Sequence, residues 1–359
     1  MKLLGKKRVL VAPLDWGLGH ATRCIPIIRE LLQQGADVIL AADGRPFAFL
    51  EKEFPELPIL RFPGYGITYP KDGSLALHFL FNAWKIRKKI KEEKKAIEIL
   101  VKENNIDIII SDNRFACRTD KTFNVYITHQ LNIKTPFAQK FVNRLHKKYY
   151  EQFDVIWVPD LEGKINLSGE LGHDAVTETP FRYVGPLTRF QPADMLNSRP
   201  RKWWLVVLLS GPEPQRSHFE KIILEELSKH AEETLILRGV TDGDKNISHP
   251  YPHVTMMNHL SGNELQEEIL SSHFVLCRPG YSTLCDLSAL NVSPIVVPTP
   301  GQTEQEYLAA YHAAQNNVVN ISQKDFSLRE AINAYHNINL FGVYPDEKAL
   351  EKRVAGILR

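Results

Sequence analysis

The chain has 359 residues, 43% of them hydrophobic and 24% charged, with a formal net charge of +2. That length supplies two separate cores and the composition is that of a globular protein. The near-neutral balance excludes a global attraction to nucleic acid. Four scattered cysteines, Cys24, Cys117, Cys277 and Cys285, form no C-x-x-C pair. This argues against a disulfide framework or zinc site and for a reducing, cytoplasmic setting. Met1 to Leu10 carries four basic residues but no long apolar run, so no secretory signal is expected. No stretch of about 18 apolar residues occurs, which leaves no candidate membrane span.

In chain order, strand-like runs alternate with amphipathic stretches, as βαβ units around a parallel sheet require. The first half predicts strands at Arg8–Pro13, Val38–Ala42, Ile59–Phe62, Ile106–Ser111, Val125–Thr128 and Val155–Pro159. Helices are expected over Ala21–Gln34, Pro46–Phe54, Leu75–Asn104 and Phe137–Tyr150. The proline-rich polar segment 186–201 has no clear period and is read as a linker. The alternation then restarts. Strands are predicted at Trp203–Leu209, Thr234–Leu237, His253–Met257, Phe274–Cys277 and Pro294–Val297. The helices between and after them are His218–His230, Glu264–Leu270, Thr283–Leu290, Glu304–Asn316 and Asp346–Leu358. The expected fold class is α/β, two doubly wound Rossmann-like domains facing a cleft. Their bounds are 1–185 and 202–340, with a C-terminal helical segment, 341–359, placed back on the first domain.

After the first strand comes Pro13-Leu14-Asp15-Trp16-Gly17-Leu18-Gly19-His20-Ala21-Thr22-Arg23. Gly17 and Gly19 at a strand-to-helix turn allow close backbone approach to a ligand, and the helix start favours negative charge. A dinucleotide fingerprint is one reading, with Asp43 as the ribose acid, but Thr22 stands where the third glycine belongs. His20 at the helix start suits acid–base chemistry near neutral pH. A ligand-free βα turn is the plainer alternative.

The distal half carries the more specific signal, Cys277-Arg278-Pro279-Gly280-Tyr281-Ser282-Thr283-Leu284-Cys285-Asp286. Backbone N–H groups near Gly280, with the Ser282 and Thr283 hydroxyls, can hold a diphosphate, and Asp286 can accept from a ribose. The next strand leads to Gly301-Gln302-Thr303-Glu304-Gln305-Glu306, polar groups opening another helix. Both elements fall at carboxyl ends of strands, where open α/β sheets bind ligands.

With Val184-Gly185-Pro186, these loops resemble the N-acetylglucosaminyltransferase of peptidoglycan synthesis, plant galactolipid synthases and a bacterial group carrying G-L-G-H-A-T-R. The resemblance covers most of the chain and implies a GT-B glycosyltransferase. It implies a UDP-sugar donor as substrate, no cofactor, and a glycan or lipid acceptor. By it, His20 is the general base, Gly280 and Thr283 hold the diphosphate, and Asp286 takes the ribose. Gln305 and Glu306 face the donor sugar, and Glu306 departs from the family's glutamine, which counts against N-acetylglucosamine as donor. Ser210 and Gly211 open what resembles a third glycine loop, with Arg216 adding charge.

Asp112 and Arg114 follow the buried Ile106–Ser111 strand, and His129 and Gln130 follow the next. All four are expected on the acceptor side, with Asp112 also assigned to catalysis, against the alternative that they cap or pair locally. Asp242-Gly243-Asp244 matches a D-x-D metal pattern, yet Asp-Gly is ordinary turn chemistry, so no metal site is expected. Trp84–Lys91 is a basic helix, and Lys140, Arg144, Lys147 and Lys148 lie beside Phe137, Phe141, Tyr149 and Tyr150. A solvated face and peripheral contact with an anionic membrane both fit these patches. Besides glycosyl transfer, a nucleotide-sugar hydrolase with a similar G-x-G-H loop and a nicotinamide-dependent oxidoreductase stay open.

Overall fold

The computed structural model describes residues 6–65, 83–136, 138–191, 200–211, 213–240, 246–248, 251–342 and 347–359. Phe137, Asp242–Asp244, the 192–199 part of the linker and the start of the long helix at Leu75 lie outside the described residues. The chain forms two compact units, divided between Thr188 and Arg189, and the end of the chain returns to the first.

In the N-terminal unit the strands are β1 (Arg8–Pro13), β2 (Asp37–Ala42), β3 (Ile59–Arg61), β4 (Ile108–Asp112), β5 (Phe123–Ile127), β6 (Val155–Val158) and β7 (Phe181–Tyr183). They pair in the order β3-β2-β1-β4-β5-β6-β7, every neighbour parallel. Its helices are α1 (Leu18–Gln33), α2 (Gly44–Glu53), α3 (Ala83–Asn104), α4 (Gln139–Tyr150) and α10 (Glu347–Leu358). The two-residue period of β1 explains the double winding. Val9 and Val11 pack with Ile27, Leu31 and Val354, from α1 and α10, on one face. Leu10 and Ala12 pack with Ile97 and Val101 of α3 on the other.

The C-terminal unit repeats the plan with β8 (Trp203–Leu208), β9 (Thr234–Leu237), β10 (Asn246–Ile247), β11 (Val254–Met257), β12 (Ser272–Cys277), β13 (Ile295–Val296) and β14 (Val319–Asn320). The order is β10-β11-β9-β8-β12-β13-β14, parallel except for the β10 edge. Its helices are α5 (Gln215–Leu227), α6 (Gly262–Leu270), α7 (Tyr281–Ala289), α8 (Thr303–Ala313) and α9 (Leu328–Tyr335). Leu205 and Val207 pack with Phe219 and Ile223 of α5 and with Leu328 and Ala331 of α9. Several helices begin two or three residues earlier than the sequence predicts. In α1 and α7 the residues read as loop already form the first turn, so His20 and Ser282 stand on helices. Among the described residues, no helix is long and apolar enough to cross a membrane.

Candidate active site

Gly17 makes the turn from β1 into α1 at φ 146° and ψ 169°, a backbone region that favours glycine. A β-carbon there would meet nothing within 4 Å, so conformation rather than space demands the glycine. Gly19 and His20 follow in the first turn of α1, which has no side-chain cap. Asp112, the last residue of β4, sits beside them because β1 and β4 pair with Pro13 opposite Asp112. The His20 side chain keeps 17% exposure while Asp112 is fully buried, and His20 Nδ1 lies 3.1 Å from Asp112 Oδ2. One ring nitrogen therefore meets a fixed carboxylate at the end of the sheet.

Arg23, one turn further along α1, completes this cluster. Its Nε donates to Asp112 Oδ2 at 2.8 Å, and its Nη2 bonds Oδ1 of the same carboxylate. Nη1 lies 2.9 Å from His129 Nδ1, and Gln130 Nε2 lies 3.2 Å from His129 Nε2. Burial, then the Arg23 charge, pulls the His20 pKa below its ordinary 6.5, with Asp112 opposing. Burial alone would raise Asp112, but Arg23 and then His20 outweigh it and hold the carboxyl below its ordinary 3.8. The result is a neutral imidazole beside an ionised carboxylate near pH 7. The sequence reading missed Arg23. Its spacing of three from His20, which puts both on one helix face, was the available signal.

Arg114 is not on an accessible surface. Its side chain is fully buried, with Nε donating to Glu93 Oε1 at 2.6 Å, Nη1 to the Pro13 carbonyl at 3.4 Å and Nη2 to the Pro63 carbonyl. Glu93 also accepts from Tyr65 Oη at 2.5 Å and from the Ala116 N–H at 2.9 Å. Arg114 thus ties α3 to the end of β1, and it braces the turn instead of meeting a ligand. A β-carbon at Gly64 would collide with the Asp15 carboxylate of the turn after β1. Asp43, the ribose acid of the dinucleotide reading, is occupied as the cap of α2 through the Gly44 N–H at 2.9 Å, and Arg61 Nη1 lies 3.6 Å away. That removes the best support for a nicotinamide site.

In the C-terminal unit, Gly280 caps α7 with no side-chain partner, so the helix opens on backbone N–H groups. The nearest heavy atom to a β-carbon at Gly280 would be Thr283 Oγ1 at 3.8 Å, which leaves the backbone approachable. Ser282 and Thr283 are half-buried, and Asp286 stands one turn in, with Oδ2 3.6 Å from Arg189 Nε. Gln302 caps α8 by accepting from the Gln305 N–H at 2.6 Å. Gln305 Oε1 accepts from the Thr299 N–H, and Glu306 Oε1 from the Gly301 N–H, both at 2.8 Å. Those side chains shape their own loop, and Glu306 is exposed.

Two expected donor contacts are redirected. Arg278 is 1% exposed, stacks 3.9 Å over the Phe219 ring and donates to Val297 O at 2.8 Å and Gln323 Oε1 at 2.5 Å. Burial pulls its pKa down to about 9. It is a piece of the core because α5 presents Phe219 to it. Arg216 is held by Glu213 and, at 3.0 Å, by Glu220, so two carboxylates already match its charge. Ser210 and Gly211, just before it, are exposed.

Residues 219–357 match the glycosyltransferase family 28 C-terminal domain. A Methanosarcina acetivorans protein described as an uncharacterized glycosyltransferase is 24% identical over 84% of this chain and 82% of its own. Arabidopsis thaliana UGT89C1, solved with UDP-L-rhamnose, superposes with a TM-score of 0.65 at 14% identity, covering 99% of this chain and 100% of that one. MurG of Acinetobacter baumannii gives 0.55 at 13% identity over 98% and 99%. The chain is a glycosyltransferase of the GT-B fold. In the glycosyltransferase, the family 28 match takes in both C-terminal loops, α7 with Asp286 and α8 with Gln305 and Glu306. The histidine–carboxylate cluster lies in the part that match leaves out.

Proposed function

We propose that this glycosyltransferase moves a sugar from a UDP-sugar to an acceptor hydroxyl, with inversion and without a metal ion. The observation that carries this reading is a partly exposed, neutral His20 at a helix start, backed by the buried Asp112 carboxylate. His20 takes the proton as the acceptor oxygen attacks the anomeric carbon opposite the departing diphosphate, which inverts the centre. With Arg278 and Arg216 engaged elsewhere, the positive end of α7 stabilises that diphosphate. Asp286 receives the ribose hydroxyls, and Gln305 and Glu306 the sugar. UDP is favoured because UGT89C1, of like fold, was solved with UDP-L-rhamnose.

The acceptor is a lipid or envelope glycan presented at an anionic surface. Phe141 and Leu145 are 63% and 41% exposed on α4, and the exposed Lys140, Arg144 and Lys148 flank them. Apolar side chains ringed by cations suit such a surface.

The donor assignment has a direct test in calorimetric titration with UDP and with a working UDP-sugar. Losing a charged hydrogen-bond partner costs about 1.5–3 kcal/mol, or roughly tenfold to more than a hundredfold in affinity. Asp286→Ala is expected to weaken both ligands to that extent. Glu306→Ala should weaken the UDP-sugar and spare UDP. Unchanged affinities in Asp286→Ala, or equal losses for both ligands in Glu306→Ala, would place the donor elsewhere.

A further inference from the structure

Arg23 reaches three partners at once, and the hydrogen-bond rules then fix a proton. A guanidinium stays protonated and carries only donors. Each imidazole nitrogen it touches must therefore offer a lone pair. Arg23 Nη2 lies 2.8 Å from His20 Nδ1, so in this arrangement the neutral ring carries its proton on Nε2. The 3.1 Å between His20 Nδ1 and Asp112 Oδ2 then separates two acceptors that share one guanidinium. A base working through the outer nitrogen needs the other tautomer, with Nδ1–H donated to Asp112 and the Nε2 lone pair free. The two arrangements exclude each other.

We propose that Arg23 is a positioning residue that holds resting His20 in its Nε2–H, non-basic form. His20 becomes a base when Arg23 Nη2 leaves Nδ1 while Nε keeps Asp112 and Nη1 keeps His129. Nδ1 then takes one proton from solvent on the exposed side of the ring and Nε2 returns one to it, so that the ring stays neutral. This step rests on the reading of His20 as the base. Nε and Nη1 anchor the guanidinium at 2.8 Å and 2.9 Å, and withdrawing Nη2 from Nδ1 also gives up its bond to Asp112 Oδ1. The cluster is closed to water on the Arg23 side, with Arg23 3% exposed and Asp112 and Cys24 fully buried. The groups facing His20 are Arg23 from α1, Asp112 from β4 and His129 from the segment after β5.

Nitrogen-15 spectra of the full chain labelled at histidine, with His20→Gln to assign the signal among 13 histidines, read the tautomer directly. In the resting parent above pH 7, Nδ1 is expected to appear unprotonated and Nε2 protonated. Arg23→Gln should move the proton to Nδ1. It should also shift the acid limb of the rate profile to higher pH, since a positive charge beside His20 is gone. A merely structural Arg23 would lower turnover equally at every pH. A parent His20 protonated on Nδ1 overturns the proposal, and so does a tautomer unchanged in Arg23→Gln. If that variant does not fold, the parent spectrum decides alone. Full activity in His20→Ala would instead remove the base assignment, a separate failure that leaves the measured tautomer standing.

Discussion

His20→Ala is expected to lower turnover by about 10²–10⁴-fold, the usual worth of general-base assistance. Nucleotide affinity should stay within experimental error, because the residues assigned to the nucleotide belong to the C-terminal unit. Burial and Arg23 together set the His20 pKa below 6.5, so the parent's base is already neutral at pH 7. Activity that depends on a neutral base is kept above that lowered pKa and lost as the pH falls through it. The parent's acid limb should therefore lie below pH 6.5 and be absent from the residual activity of His20→Ala. Initial rates of both proteins across pH check this. Equal rates would take His20 out of the chemistry.

The second large effect concerns stability. Glu93→Ala is expected to cost about 3–5 kcal/mol, the penalty for stranding a buried charge by removing its partner. Glu93 and Arg114 have side chains 2% and 0% exposed and a 2.6 Å ion pair. The loss also strands Tyr65 Oη and the Ala116 N–H, both of which donate to Glu93. A domain holds only about 5–15 kcal/mol in all, so the variant should unfold at visibly lower urea. Glu93→Gln keeps acceptor capacity but loses the charge, and should fall between parent and alanine. Because Arg114 also bonds the Pro13 carbonyl at the entrance to the Gly17 turn, activity should decline with stability. A loss under about 1 kcal/mol in Glu93→Ala would show that the pair is not the brace described.

The sheets were legible because their strands are apolar runs buried on both faces, Ile108–Ile110 most clearly. Short edge elements escaped. β10 and β14 have two residues each, too few for a period to emerge. α9 was also missed, although Ser327 caps it by accepting from the Glu330 N–H and the Ser-Leu-Arg-Glu spacing was there to read. For the site, glycines and helix starts marked the right loops, since strand-to-helix turns are local. Side-chain direction was not local. Arg278 turns inward because Phe219 of a distant helix offers it a ring, and Arg114 because Glu93 waits inside a lysine-rich helix that reads as solvated. Arg23 was visible in the loop, but its hold on Asp112 depends on the pairing of β1 with β4.

Transfer to an acceptor is the central claim, and mass analysis of products tests it most directly. The protein is incubated with a panel of UDP-sugars, lipid extract in anionic vesicles and a chelator. The expected result is UDP release matched by a lipid or glycan product heavier by one sugar, undiminished by the chelator. Free sugar released in step with UDP, with no glycosylated product, would make water the acceptor and contradict the account.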